Sequence, residues 1–191
     1  MTRKIVGIVG AGLSGAVIGR RLAEAGHRVI LMEERSHVAG NCHTERDPRT
    51  GVLLHRYGPH IFHTGNEEVW RYLCLFAEME PYRHRVIARA QGRIYGLPVN
   101  LLTINQFFGQ TFTPSEARDF LDNRRRRDIV EPANFEQQAL SMMGEDLYRG
   151  FFRGYTLKQW GRAPTELPAS ILKRLPMRFD CDDRYFTDKY K

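Results

Sequence analysis

Apolar and polar positions alternate along this chain in two rhythms, strand-like near the start and helical later. Lys4-Ile5-Val6-Gly7-Ile8-Val9 is a short Ile/Val-rich run that reads as a buried parallel strand. Ala16, Val17, Leu22 and Ala23 supply the packing positions of a following helix, Gly26-His27 ends it, and Arg28-Val29-Ile30-Leu31-Met32 is a second strand, which closes a βαβ unit. A turn over residues 47–51 precedes the apolar stretch Val52-Leu53-Leu54. Thr64 with Glu67 predicts a capping box opening a helix with Val69, Tyr72, Leu73 and Phe76 on one face. Residues 85–90 and 93–97, joined through Gln91-Gly92, predict a hairpin belonging to a different sheet.

From about Asn100 the pattern is helical. Thr113-Pro114-Ser115-Glu116 is a helix start with cap, Pro at the first position and Glu at the third. Asn134 with Gln137 opens another helix through Phe135, Ala139, Met142 and Met143, which Gly144 stops. Leu147, Phe151 and Tyr155 continue the periodicity, and Pro164, Pro168 and Pro176 then punctuate a segment with a short helix near 169–175.

Between the first strand and its helix, Gly10, Gly12 and Gly15 hold the G-x-G-x-x-G spacing. Gly10 permits the turn, Gly12 leaves room for a pyrophosphate, and Gly15 lets helix pack on strand, with the free amides and dipole of the helix start making an anion site. Glu33 directly follows the second strand, where a carboxylate accepts from the ribose hydroxyls of an adenosine. The motif alone does not separate NAD from FAD. The loop through Arg35 and residues 36–41, including Gly40 and Asn41, lies at the strand's carboxyl end and can add backbone amides to the same site.

Composition narrows the partners. The 191 residues carry a net charge of +7, yet the basic run 124–127 is followed by Asp128 and Glu131 without aromatic interleaving, so a solvated helix end is expected rather than nucleic-acid binding. The basic balance suits an enzyme that attracts a polyanionic small molecule. No apolar run approaches the roughly 20 residues of a membrane span. Cys42, Cys74 and Cys181 are isolated, which points to a reducing cytoplasm.

Two constellations carry chemistry. Gly58-Pro59-His60-Ile61-Phe62-His63-Thr64 places two histidines three apart; no third ligand at metal spacing accompanies them, so no metal is expected, and the rings can instead serve a cofactor or a sugar hydroxyl. Phe151-Phe152-Arg153-Gly154-Tyr155-Thr156-Leu157-Lys158-Gln159-Trp160-Gly161 mixes four aromatics with polar side chains, as a site does that stacks on a base and reads its edge.

With GPHIFHT at 58–64, LPVNLLTINQFF at 97–108, FFRGYTLKQWG at 151–161 and ELPASILKRLPMRF at 166–179, beside the N-terminal GAGLSGAVIGR, the chain resembles UDP-galactopyranose mutase of the bacterial type over essentially all of its length. The family is about twice as long, so the chain is expected to be its N-terminal half. The resemblance implies FAD, used in its reduced form, held by Gly10, Gly12, Ser14, Gly15, Glu33, Arg35, Gly40, Asn41, His60, Ile61 and His63. It places His84, Phe151, Phe152, Tyr155, Thr156, Gln159, Trp160, Arg174 and Tyr185 at the substrate, with Arg174 on a mobile loop over the diphosphate and Arg174 and His60 as the catalytic pair. Two positions depart from the family pattern. His84 stands where asparagine is commonest, and Ala39 precedes Gly40 where a Gly-Gly pair is usual; the extra Cβ costs little provided that position does not need a positive φ.

The implied reaction interconverts UDP-galactopyranose and UDP-galactofuranose. Reduced flavin N5 attacks the anomeric carbon as UDP leaves, the ring opens and recloses, and UDP returns. The expected fold is α/β: an incomplete Rossmann-like FAD-binding domain at 1–81, a β-hairpin at 82–97 from a separate antiparallel sheet, and a mainly helical domain at 98–191 with a mobile substrate loop near 166–179. A cytoplasmic homodimer or higher homo-oligomer, without a membrane span, is expected of the full-length protein. The alternatives are a non-catalytic fragment that binds nucleotide or flavin in part, and another FAD-dependent oxidoreductase sharing only the first domain.

Overall fold

The computed structural model describes residues 2–175 and 177–191, the side chain of Arg174 excepted. The punctuating Pro176 therefore lies outside the described residues, as does the side chain of the expected catalytic Arg174. The chain divides into two compact units, Met1–Phe62 and His63–Lys191.

The first unit opens as the glycine pattern predicts. Strand β1 (Ile5–Val9) runs parallel to β2 (Arg28–Met32), with helix α1 (Leu13–Glu24) between them. A short antiparallel pair follows, β3 (Thr44–Arg46) with β4 (Leu53–His55), which the sequence reading saw only as a turn and an apolar stretch. That turn is held by Asp47, whose Oδ1 accepts from the Arg49 and Thr50 amides at 3.0 and 2.8 Å.

β1 is not the buried strand its composition predicts: Ile5 is 68% exposed and Val9 87%. The reason is that β1 and β2 have only each other as strand neighbours among the described residues, which leaves apolar side chains without a covering layer.

The second unit holds the core. The expected hairpin forms from β5 (Val86–Ala90) and β6 (Arg93–Leu97), paired antiparallel from Val86↔Leu97 to Ala90↔Arg93. Gln91 and Gly92 both take positive φ, 48° and 75°, the left-handed pair of a two-residue hairpin turn. Helix α3 (Leu101–Phe108) is capped by Asn100, and α4 (Pro114–Asp122) by the predicted capping box, Thr113 and Glu116 bonding reciprocally.

Helix α5 (Phe135–Leu147) starts at Asn134 as expected, but Gly144 breaks it rather than ending it. There φ is +79°, and a Cβ would stand 2.9 Å from the Arg124 carbonyl oxygen. The chain then winds on through a π-turn, Tyr148–Arg153, into α6 (Gly154–Trp160). The Pro-flanked piece Ala169–Arg174 is a 3-10 helix.

Helix α2 (Glu67–Cys74) begins two residues later than a cap at Thr64 predicts. Its cap is Asn66, whose Oδ1 accepts from Glu68 and Val69, while Thr64 Oγ1 accepts from the Asn66 amide. Residues 63–81, placed with the first domain by the sequence reading, cluster with the later chain for a visible reason. Thr64 and Tyr190 exchange two backbone hydrogen bonds, Trp70 stacks on Tyr190 with centroids 4.7 Å apart, and Lys189 pairs with Glu67 at 3.7 Å.

Ile104, Leu121, Phe135, Met143, Leu147 and Tyr148 are among the side chains wholly inside the core of this unit. The four arginines 124–127 lie in the turn after α4 and each faces a carboxylate: Arg124 with Asp146, Arg125 and Arg127 with Asp122, Arg126 with Asp128. Leu147 is 0% exposed where α5 meets the π-turn. Leu147→Ala is expected to cost about 2–5 kcal/mol, read as a lowered urea midpoint with an unchanged slope.

Candidate functional site

In the first unit the glycine turn forms as a cradle. Gly10 takes φ +99°, and its amide donates to the Met32 carbonyl at 2.7 Å, tying the turn to the end of β2. Gly15 cannot be anything larger: a Cβ there would stand 2.0 Å from the Gly10 carbonyl oxygen. Gly12 is the N-cap of α1 and makes no side-chain capping bond, whereas α2 to α5 each begin on an Asn or Thr side-chain cap. The first amides of α1, Ser14 included, are thus left for an anionic ligand.

Glu33 holds this cradle from the far side. One carboxylate oxygen accepts from the Ala11 amide at 2.7 Å and the other from the Arg35 amide at 3.0 Å. Those amides, Arg35 first and then Ala11, hold its pKa below the ordinary glutamate value, so it is ionised at neutral pH. Each oxygen keeps a lone pair for a ligand hydroxyl. Arg35 donates to Asn41 at 3.0 Å and lies 4.5 Å from the Tyr57 ring centroid.

The loop that carries Asn41 closes on the cradle. The Ala39 amide donates to the Ala11 carbonyl at 2.9 Å, and a Cβ on Gly40 would meet Gly12 Cα at 3.1 Å. Ala39 itself has φ +76°. The condition under which its Cβ would cost little is therefore not met, because this position does adopt the left-handed conformation.

Beyond Arg35 a polar cavity of about 610 Å³ opens, lined by Arg35, Ser36, His37, His43, Glu45, Arg56 and Tyr57. Within the same unit Gly58 turns at φ +87° and accepts from His60 Nδ1 at 2.9 Å, which leaves His60 Nε2 as the acceptor in the neutral ring. Ile61 is half-buried beside it in the chain.

In the second unit the structure brings His63, His84 and Tyr185 into one aromatic cluster. His63 stacks on Phe186 at 3.9 Å, His84 lies edge-on to Tyr185 at 5.7 Å, and Tyr82 Oη meets His84 Nδ1 at 3.4 Å. Burial, with Tyr155 adding a smaller push, raises the Tyr185 phenol pKa, so it stays a protonated O–H donor near neutrality. Sequence reasoning missed Phe186, Asp188 and Tyr190 as members of this region. Their only local signal is a cluster of aromatics and acids near the C-terminal end of the sequence.

The aromatic stretch 151–161 splits between two tasks. Phe151 is 8% exposed and packs edge-on to Tyr95 at 5.1 Å, and Thr156 is 2% exposed, so both face the core. Tyr155 and Trp160 are 64% and 50% exposed, Gln159 is exposed, and Phe152 is half-buried. The π-turn sets this division by shifting the register between α5 and α6. The Arg174 backbone ends the 3-10 helix. Among the described residues no group of His, Cys, Asp and Glu could hold a metal, and no helix is long and apolar enough to cross a membrane.

Two family models match separate parts of the chain. A family model for an NAD(P)-binding Rossmann-like domain matches residues 8–74, and one for UDP-galactopyranose mutase matches residues 150–191. A Klebsiella pneumoniae protein named "Probable UDP-galactopyranose mutase" is 54% identical over 191 residues, which is 100% of this chain and 50% of the relative. The chain is a relative of the UDP-galactopyranose mutases.

It is also 50% identical over 184 residues to an Escherichia coli dTDP-fucopyranose mutase, covering 96% of this chain and 49% of that protein. A crystal structure of reduced UDP-galactopyranose mutase superposes with TM-score 0.65 at 20% identity, over 93% of this chain and 38% of that one, which shows the α/β fold. The mutase-like chain spans about half the length of the curated relatives it matches.

Ala39 offers a direct check on the cradle. A left-handed alanine costs about 1–2 kcal/mol and the extra freedom of an unfolded glycine about 0.5–1, so Ala39→Gly is expected to stabilise by about 0.5–1 kcal/mol. Its urea midpoint should rise; an unchanged or lower midpoint would show that residue 39 is not left-handed.

Proposed function

We propose that this chain supplies the flavin-binding and nucleotide-sugar-binding parts of an enzyme interconverting UDP-galactopyranose and UDP-galactofuranose. The observation that carries this reading is the exposed aromatic and amide side chains of α6. Tyr155 and Gln159, one turn apart, are exposed on one side of this helix, and Trp160 is exposed at its last position, while Thr156 between them is buried. Stacking rings beside an amide that can read a base edge suit a pyrimidine nucleotide.

FAD fits the residues of the first unit. Gly10, Gly12, Ser14 and Gly15 would take its pyrophosphate where α1 lacks a side-chain cap, and Glu33 would take the adenosine ribose through its remaining lone pairs. Arg35, Gly40 and Asn41 would border the same ligand, with His60 and Ile61 toward the ring; His63, also expected at the cofactor, belongs to the second unit. When bound and reduced, the flavin supplies the nucleophilic nitrogen for the anomeric carbon.

The chain's own part is to bind, orient and shield. Tyr185 keeps its phenolic proton and can donate it to a diphosphate oxygen. Arg174, on the segment near 166–179, can grip two phosphoryl oxygens at once as the diphosphate departs. His84 can hold a sugar hydroxyl through one ring nitrogen. The first unit here comprises two parallel strands and a short hairpin, and residues 1–81 in this reading belong to a larger flavin domain.

The high identity to the dTDP-fucopyranose mutase favours a second substrate, since both donors are pyrimidine nucleoside diphosphate sugars. The decisive experiment purifies the chain, records its visible flavin spectrum and measures UDP and dTDP binding by calorimetry. Turnover of both sugars under reducing conditions follows. Trp160→Ala is expected to weaken UDP binding about tenfold with flavin retained, the value of one lost stacking contact. Arg174→Ala is expected to lower turnover roughly 10²-fold at unchanged flavin content. Flavin binding without affinity for either nucleotide would leave another FAD-dependent oxidoreductase; binding of both ligands without turnover would leave a non-catalytic fragment.

A further inference from the structure

His63 and Asp188 lie 125 residues apart in the chain, yet His63 Nδ1 and Asp188 Oδ2 stand 2.7 Å apart. An ionised carboxylate only accepts, so the shared proton belongs to Nδ1. Among the described residues Nε2 of this ring has no hydrogen bond. The ring plane is fixed as well, by Phe186 stacked on it at 3.9 Å with 19° between the planes. Its orientation and its tautomer are thus set by two residues of one short segment.

That segment does not need the carboxylate to stay in place. The paired backbone bonds between Thr64 and Tyr190, at 2.9 and 3.1 Å, and the Trp70–Tyr190 stack dock it to the start of α2 independently. Asp188 is half-exposed at the side chain, as is His63, so the pair is not a buried structural ion pair. What the carboxylate adds is a choice between the two tautomers.

We propose that Asp188 is a positioning residue for His63: it holds the imidazole in the Nδ1–H form, so that Nε2 is presented as a hydrogen-bond acceptor to an O–H or N–H of the bound ligand. This assignment rests on the reading that the segment around His63 faces cofactor and sugar. It gives the ring the opposite role from a donor to a sugar hydroxyl. The two histidines expected at the cofactor then share one chemistry, because His60 Nδ1 is likewise committed, to the Gly58 carbonyl. Each presents a basic Nε2.

The test is nitrogen NMR of the chain labelled in histidine, at about pH 8, above the usual imidazole range. His63, assigned by its loss in His63→Gln, is expected to show a pyrrole-like Nδ1 and a pyridine-like Nε2. In Asp188→Ala the two shifts should move toward the Nε2–H form that free imidazole favours, with near-ultraviolet circular dichroism of the Trp70–Tyr190 region unchanged. A wild-type His63 carrying its proton on Nε2 overturns the proposal, and so does a tautomer indifferent to Asp188→Ala. If that variant unfolds, the wild-type spectrum alone decides. Flavin content and UDP affinity measured on the same sample separate the two ideas. Both present with the wrong tautomer removes only the Asp188 role; both absent with the right tautomer removes the functional reading and leaves the dyad a structural contact.

Discussion

The contact of Gly15 with the Gly10 carbonyl oxygen is the constraint on which the first unit depends. No side chain larger than hydrogen fits there, since a Cβ would fall 2.0 Å from that oxygen. The close approach brings the start of α1 directly over the end of β1, and the Gly10 amide bond to Met32 registers that end against β2. With strand, turn and helix so fixed, Glu33 at the end of β2 reaches the Ala11 amide. The uncapped helix start and the placement of the carboxylate are therefore products of one packing decision.

The second unit solves a different problem, how to present polar and aromatic groups from a closed core. Gly144 breaks α5 at a non-helical φ, and the π-turn that follows rewinds the chain. Phe151 and Thr156 then turn inward, while Tyr155, Gln159 and Trp160 stay at the surface. A straight helix through these residues would keep one stripe throughout, because 3.6-residue periodicity carries the apolar face on without a shift.

What the sequence made legible was local. Gly10, Gly12 and Gly15, the Gln91-Gly92 turn and the Thr113–Glu116 box each act within a few residues, and their signals need no knowledge of the fold. Asn66 displaced Thr64 as a cap because two neighbouring residues can both accept from amides, and spacing does not rank them. Ala39 carries no mark of its left-handed φ, which comes from the loop closing on Ala11. Asp188 was out of reach altogether, since nothing in a single sequence joins it to a histidine 125 residues earlier. For the candidate site, residue types were readable and their division between core and surface was not, as Phe151 and Tyr155 show.

The two units also differ in what holds them. Among the described residues the wholly buried apolar side chains belong to the second, and in the first Ala11 alone is a buried hydrophobic. Ile5, Val9, Ile30, Leu31 and Met32 remain on exposed strand surface, where burial contributes little. The first unit thus relies on backbone pairing and on the glycine contact. A dinucleotide seated in the cradle would add to this by mass action, about 2.7 kcal/mol at a ligand concentration one hundred times Kd. For a two-stranded parallel sheet that increment is large against the few kilocalories that separate folded from unfolded domains. In the proposed reading the ligand is therefore part of what stabilises the unit that binds it, and the left-handed Ala39, which spends stability to close the loop, is tolerated where such a ligand is held.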